Sequence, residues 1–241
     1  MIIKILLHNR IFKFLYGVLL LPMCYVLFRT LMYTIVNIEF SNLSYAFLLG
    51  MALYLILHFL LYKPIKVYII GHELVHAIST YICGGKVKNI KLNSNSGSVN
   101  VDKVNTFIAL SPYFVPFYSI VVCIIWALLK YAFKLRVATE LLLFFLGFTI
   151  TFHIVLTLYA IYIGQQDFKI SGWLFSIVLI FIINCLILII IFIILLPSKL
   201  SFNEVKLFFL NFTVQVYKFC YEKFIYVIKL VALQIAKISQ K

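Results

Sequence analysis

Charge is scarce in this 241-residue chain: Asp, Glu, Lys and Arg make up 12% of it, against roughly 25% in ordinary soluble domains. Glycine (9) and proline (5) are few as well, which excludes collagen-like and Pro/Gly-rich disordered chains. The five cysteines (Cys24, Cys83, Cys123, Cys185, Cys220) stand singly, mostly inside apolar runs and without a CxxC pair. A disulfide scaffold is therefore excluded, and they read as small core hydrophobes. Acidic residues are rarest of all, 7 against 21 Lys and Arg, for a net charge of +14.

What fills the chain instead is apolar: 65% hydrophobic residues and a mean hydropathy of +1.11, in runs longer than the ~18 residues that mark a membrane helix. These features predict an all-α, multi-pass integral protein, expected in the cell membrane. Basic residues gather between and after the runs, a pattern that suits anionic lipid head groups. No solvated basic stretch with interleaved aromatics is long enough to track a phosphate backbone, so nucleic acid is not an expected partner.

Six spans are expected. The first, Phe14 to about Val36, follows Lys4, Arg10 and Lys13 with no small-residue cleavage site and so reads as uncleaved. The second runs from about Leu43 to Tyr62 and breaks at Lys63-Pro64-Ile65-Lys66, and the third runs from about Val67 to Cys83 and stops at Gly84-Gly85. Between Lys86 and Lys103 the apolar period changes to Val87, Ile90, Leu92, then Val99 and Val101 around Asn93-Ser94-Asn95-Ser96-Gly97, which predicts a short β-hairpin after the third span. The fourth span, about Val104 to Leu129, is kinked by Pro112 and Pro116; the fifth covers about Val137 to Ile163 and the sixth about Trp173 to Leu196. Residues 1–197 thus form a transmembrane domain. Residues 198–241 predict a basic amphipathic C-terminal helix, opened by Ser201 and Glu204 at capping-box spacing and carrying seven Lys against two acids. It is expected either to lie in the membrane interface, as a plain lipid-facing anchor, or to pack on a partner helix.

The sharpest signal is Gly71-His72-Glu73-Leu74-Val75-His76, an HExxH motif within the third span. His72 and His76, one helical turn apart, face the same way and can bind one Zn²⁺, while Glu73 can act as general base on a water acidified by the metal. The plainer reading is a buried hydrogen-bonded cluster that stabilises the bundle, but ionisable groups at such depth are costly and generally functional. A hydrolytic zinc site needs a third protein ligand and an open fourth position. Asp167, between the fifth and sixth spans, is the preferred candidate, and His153 in the fifth is its rival as ligand or substrate-site residue. His58 is assigned to helix packing, and Asn184 to packing or to orienting substrate or the attacking water.

An intramembrane His-Glu-x-x-His followed by a small-residue turn and a β-hairpin resembles the site-two protease family of intramembrane zinc metalloproteases, peptidase family M50 in its M50B-like branch. The resemblance covers Val67 to about Ser176, less than half of the chain. It implies that His72, His76 and Asp167 hold zinc, that Glu73 is the general base, and that the hairpin pairs with an unwound segment of a membrane-embedded protein or peptide substrate. The family's Asn-Pro and Asp-Gly signature around the third ligand is absent, with Gln165-Gln166-Asp167-Phe168 in its place, and there is no PDZ-like insert.

Six crossings put fifteen of the 21 basic residues on the face of the N-terminus. The positive-inside rule makes that face cytoplasmic and the hairpin face opposite. The resemblance implies a site near the cytosolic face instead, and a re-entrant third segment would reconcile the two. Three other functions are open: a membrane metal-ion transporter, a non-catalytic membrane scaffold, and a prenyl-protein protease in which Glu140 would have to be a ligand.

Overall fold

Three of the helices end at or just before glycines with positive φ, Gly84, Gly164 and Gly172. The computed structural model describes residues 10–60, 64–93 and 97–238; Lys4, His8, Lys63 and the expected hairpin turn Ser94-Asn95-Ser96 lie outside them. Three long helices open the chain: α1 (Arg10–Val36), α2 (Asn42–Leu60) and α3 (Ile65–Ile82). α3 stops at Gly84, whose φ of +70° suits a residue without Cβ, and the Gly85 N–H closes the helix by donating to the Thr80 carbonyl at 2.9 Å. The hairpin follows as β1 (Val87–Leu92) and β2 (Gly97–Val101), antiparallel with Ile90 opposite Val99 and an irregularity between Val87 and Asn89.

The expected fourth span is broken rather than kinked. α4 (Thr106–Leu110), capped by the Asn105 side chain, passes through a tight turn at Ser111–Tyr113 into α5 (Phe117–Ala127), and the two limbs meet at 71°. Pro112 and Pro116 both lack the N–H that a continuous helix needs, and Pro116 immediately precedes α5. α6 (Thr139–Ile163) ends at Gly164 (φ +72°), the short α7 (Asp167–Ser171) ends at Gly172 (φ +86°), and α8 (Trp173–Leu195) leads to the 37-residue α9 (Phe202–Ile238). The capping box at the start of α9 is formed: Glu204 Oε2 accepts from the Ser201 N–H at 2.7 Å and its hydroxyl at 2.8 Å.

Among the described residues, α1, α2, α6 and α8 are long and apolar enough to cross a membrane, and the bent α4/α5 pair makes a fifth if it is one span. Their packing departs from the six-span expectation, which sets the first and last spans antiparallel. α1 and α8 run the same way: Gly17 lies against Leu174 and Phe175 near both beginnings, while Ile38 pairs with Ser198 past both ends. α2 and α6 cross at a pair of glycines, where a Cβ on Gly50 would run into the Phe144 carbonyl and one on Gly147 into that of Phe47. Small residues at such a contact let two backbones approach closely. α9 runs back along α1 through Phe208 stacked on Tyr33 (4.2 Å), Phe212 against Tyr25 (5.6 Å) and the Tyr217 hydroxyl on the Leu19 carbonyl (3.3 Å). The C-terminal helix therefore has a partner helix within its own chain.

Candidate metal centre

α3 brings His72, Glu73 and His76 to one cavity because His76 follows His72 by four positions and Glu73 by three, the two spacings that share a face of a helix. Asp167 reaches the same point from the first residue of α7, which the left-handed turn at Gly164 redirects beneath α3. His72 Nε2 lies 3.1 Å from His76 Nε2, and Asp167 Oδ2 lies 3.5 Å from the first and 3.6 Å from the second. The three offer one ligand atom each, grouped closely enough to hold a metal ion. His76 Nδ1 donates to the Ile108 carbonyl at 2.8 Å, which leaves its Nε2 with the free lone pair. Burial alone would raise the Asp167 carboxyl, but the two neighbouring imidazoles and the hydrogen bond from Tyr113 outweigh it and hold the group well below the usual carboxylate range.

Tyr113 is the residue that the sequence reading missed. Its hydroxyl donates to Asp167 Oδ2 at 2.6 Å, and its ring packs on Phe168 (4.6 Å) and His72 (5.1 Å). The Asn184 amide in turn donates to the Tyr113 carbonyl at 2.9 Å, and the Asn184 oxygen accepts from His153 Nε2 at 3.2 Å. His153 thus stands outside the His-His-Asp cluster, and Asn184 braces the turn that carries Tyr113. The available signal was a lone Tyr between two prolines in an apolar segment, since a buried phenol generally needs a partner. His58 pairs with the Tyr54 hydroxyl at 3.1 Å, away from the cluster. Glu140 begins α6, about 35 Å of helix from the end near Asp167.

The cluster opens into a cavity of about 510 Å³, with Glu73 on its wall beside both histidines, β2 as a roof, and Val104, Ile108 and Ile170 as an apolar side. Gly97 sits flush on Glu73: a Cβ there would come within 2.6 Å of Glu73 Cγ and Oε1. On the far side, Lys13 of α1 is buried and donates to the Ile170 carbonyl at 3.2 Å, which ties the first helix to the end of α7. Fold and site together define a helical protein with membrane-crossing helices around a two-histidine, one-carboxylate cluster. No family model, curated protein or solved structure matches the chain, so the functional reading rests on residues and geometry.

Proposed function

We propose that the protein is an intramembrane zinc metalloprotease. The observation that carries this reading is the triangle of ligand atoms, with edges of 3.1, 3.5 and 3.6 Å. Tetrahedral zinc with bonds of ~2.0–2.1 Å sets its ligand atoms about 3.3 Å apart, so the three side chains fit the ion without rearrangement. Three protein ligands with an open side is also the pattern of a catalytic site rather than a structural one, and here the open side faces the cavity that holds Glu73. Zinc bound there supplies an acidified water and a Lewis acid for the scissile carbonyl. Glu73 takes the proton of the attacking water and returns it to the departing amine nitrogen. Asp167, fixed by Tyr113, and His76, fixed by the Ile108 carbonyl, keep the ligand set in place. The substrate is a membrane-embedded peptide segment, unwound so that its scissile bond leaves the helix and lies under β2.

Five crossings accompany this reading: α1, α2, the bent α4/α5 pair, α6 and α8. α1 and α8 point the same way, which an odd number of crossings from first to last requires. The base of the hairpin supports α3 as the re-entrant segment: Asn105 and Lys103 bond Cys83 at the end of α3, and Thr106 bonds Ser171 of α7. The end of α3, the hairpin, α7 and the start of α1 then share one face. On this reading that face carries Arg10, Lys13, Lys66, Lys86, Lys88, Lys91, Lys103 and Lys169, against Lys130, Lys134, Arg136 and Lys199 on the other among the described residues outside helix interiors and α9, and the positive-inside rule favours it as the cytoplasmic face. The hairpin and the cytoplasm then lie on the same side, as the resemblance implies.

Metal analysis of purified protein tests the proposal, with wild type beside His76→Ala and Asp167→Ala in matched detergent. One equivalent of zinc in the wild type and its loss in both variants is expected. A folded wild type that takes up no zinc after supplementation refutes the protease reading and leaves a metal-free, hydrogen-bonded cluster.

A further inference from the structure

The two zinc-facing histidines differ in how their second nitrogen is held. His76 Nδ1 has the Ile108 carbonyl. His72 Nδ1 is buried and has no hydrogen-bond partner among the described residues. The same is true of the Tyr68 hydroxyl, on a side chain that is nine-tenths buried. The two orphaned atoms belong to neighbours: Tyr68 lies one turn before His72 on the same flank of α3, with ring centroids 5.4 Å apart. Two desolvated polar groups left unpaired beside each other are unusual, because each forfeits its water without compensation.

Behind His72, on the side away from the 510 Å³ cavity, lies a second and much smaller chamber of about 20 Å³. Tyr68, His72, Thr149 and His153 are among the polar residues on its wall, and Phe152 and Val75 are among its apolar ones. One water needs roughly 10–15 Å³ and at least two polar partners. The chamber meets both conditions, and it adjoins the two residues whose polar atoms are unpaired.

We propose that this chamber is a binding site for a single structural water, which accepts from His72 Nδ1–H and bonds to the Tyr68 hydroxyl, making Tyr68 a positioning residue for the first zinc ligand. The water does for His72 what the Ile108 carbonyl does for His76: it places the proton on Nδ1 and turns the lone pair of Nε2 towards the metal. Tyr68 holds the water, and so acts on the metal through two intermediaries. The inference rests on the zinc reading above.

The test measures zinc affinity by chelator competition in wild type, Tyr68→Phe and Tyr54→Phe. Tyr54 is the control because its hydroxyl pairs with His58, away from the cluster. Affinity is expected to fall about 10- to 100-fold in Tyr68→Phe, the usual range for losing an outer hydrogen-bond partner of a ligand, and to stay unchanged in Tyr54→Phe. Nitrogen-15 NMR of the imidazoles supplies a readout that a merely structural role would not move, and it requires no variant. In the zinc-loaded wild type, where the metal takes the place of the proton between the two Nε2 atoms, His72 is expected to carry its proton on Nδ1, with a cross-peak from that proton to water. Zinc bound equally well by a folded Tyr68→Phe, or a zinc-bound His72 whose Nδ1 proton shows no cross-peak to water, overturns the inference and leaves the zinc reading standing. A wild type that binds no zinc overturns both.

Discussion

Replacing Tyr113 by Phe removes one oxygen atom and tests how Asp167, the proposed third ligand, is held. The ring stays, so its packing at 4.6 Å from Phe168 and 5.1 Å from His72 survives. What is lost is a 2.6 Å hydrogen bond from a phenol to a largely buried carboxylate. A hydrogen bond to a charged group contributes about 1.5–3 kcal/mol, and 1.4 kcal/mol is a factor of ten, so the upper limit of the effect is about 150-fold. The bond forms without metal too, so only the part that restrains Asp167 from turning away enters the affinity. Zinc binding is therefore expected to weaken about 10- to 100-fold, as for other outer-shell partners. Competition with a chromogenic chelator gives the dissociation constant, and thermal unfolding with and without zinc checks it, since each tenfold loss removes about 1.4 kcal/mol of zinc-linked stabilisation. A folded Tyr113→Phe protein whose zinc affinity stays within twofold of wild type refutes the reasoning.

Gly97→Ala is expected to retain zinc and to lose peptide hydrolysis on the order of 100-fold, the cost of misplacing a catalytic group by about an ångström, because the new Cβ would lie 2.6 Å from Glu73 Oε1 and from Ile69 Cγ2; zinc loss in this variant would count against the assignment of Glu73 as a non-ligand base. In a cysteine-free background, Arg10→Cys and Lys88→Cys are expected to react with an impermeant maleimide from one side of a sealed vesicle and Lys134→Cys from the other. Labelling of positions 10 and 134 from the same side would restore an even number of crossings between them. Glu204 is held below its usual pKa by the Ser201 N–H and hydroxyl, so the stability it lends α9 is complete above the ordinary Glu value of about 4.3 and disappears as pH falls through the lower native value. Amide exchange in the first turn of α9 should then differ between wild type and Ser201→Ala at pH 6 and converge near pH 3; a difference that persists in acid would show that the capping box is not the cause.

The local features were the legible ones. HExxH spacing, the stop at Gly84-Gly85, the alternation around Val99 and the Ser201/Glu204 box each depend on a few neighbouring residues, and each forms within the described residues as expected. What could not be read was direction. An apolar run long enough to cross gives no sign of whether it crosses or returns, and the parallel pairing of α1 with α8 depends on contacts between residues such as Ile38 and Ser198, 160 positions apart. The break at Pro112 and Pro116 was visible, but its 71° angle was not, because a proline removes a hydrogen bond without dictating which neighbour replaces it. Tyr113 escaped for the same reason: its role lies in what it meets, and Asp167 is 54 positions away.

That separation in the chain also sets an order in time. The ribosome delivers His72 and His76 together, but Asp167 follows 91 residues after His76, a delay of about 5–20 s at ordinary rates of synthesis. During that interval α3 carries its two imidazoles without the carboxylate that completes the cluster. Only when α6 has been made and the turn at Gly164 brings α7 to α3 can the two imidazoles and the carboxylate meet. A chain arrested before residue 167 therefore carries a half-built site, and the finished one is assembled last from parts made far apart.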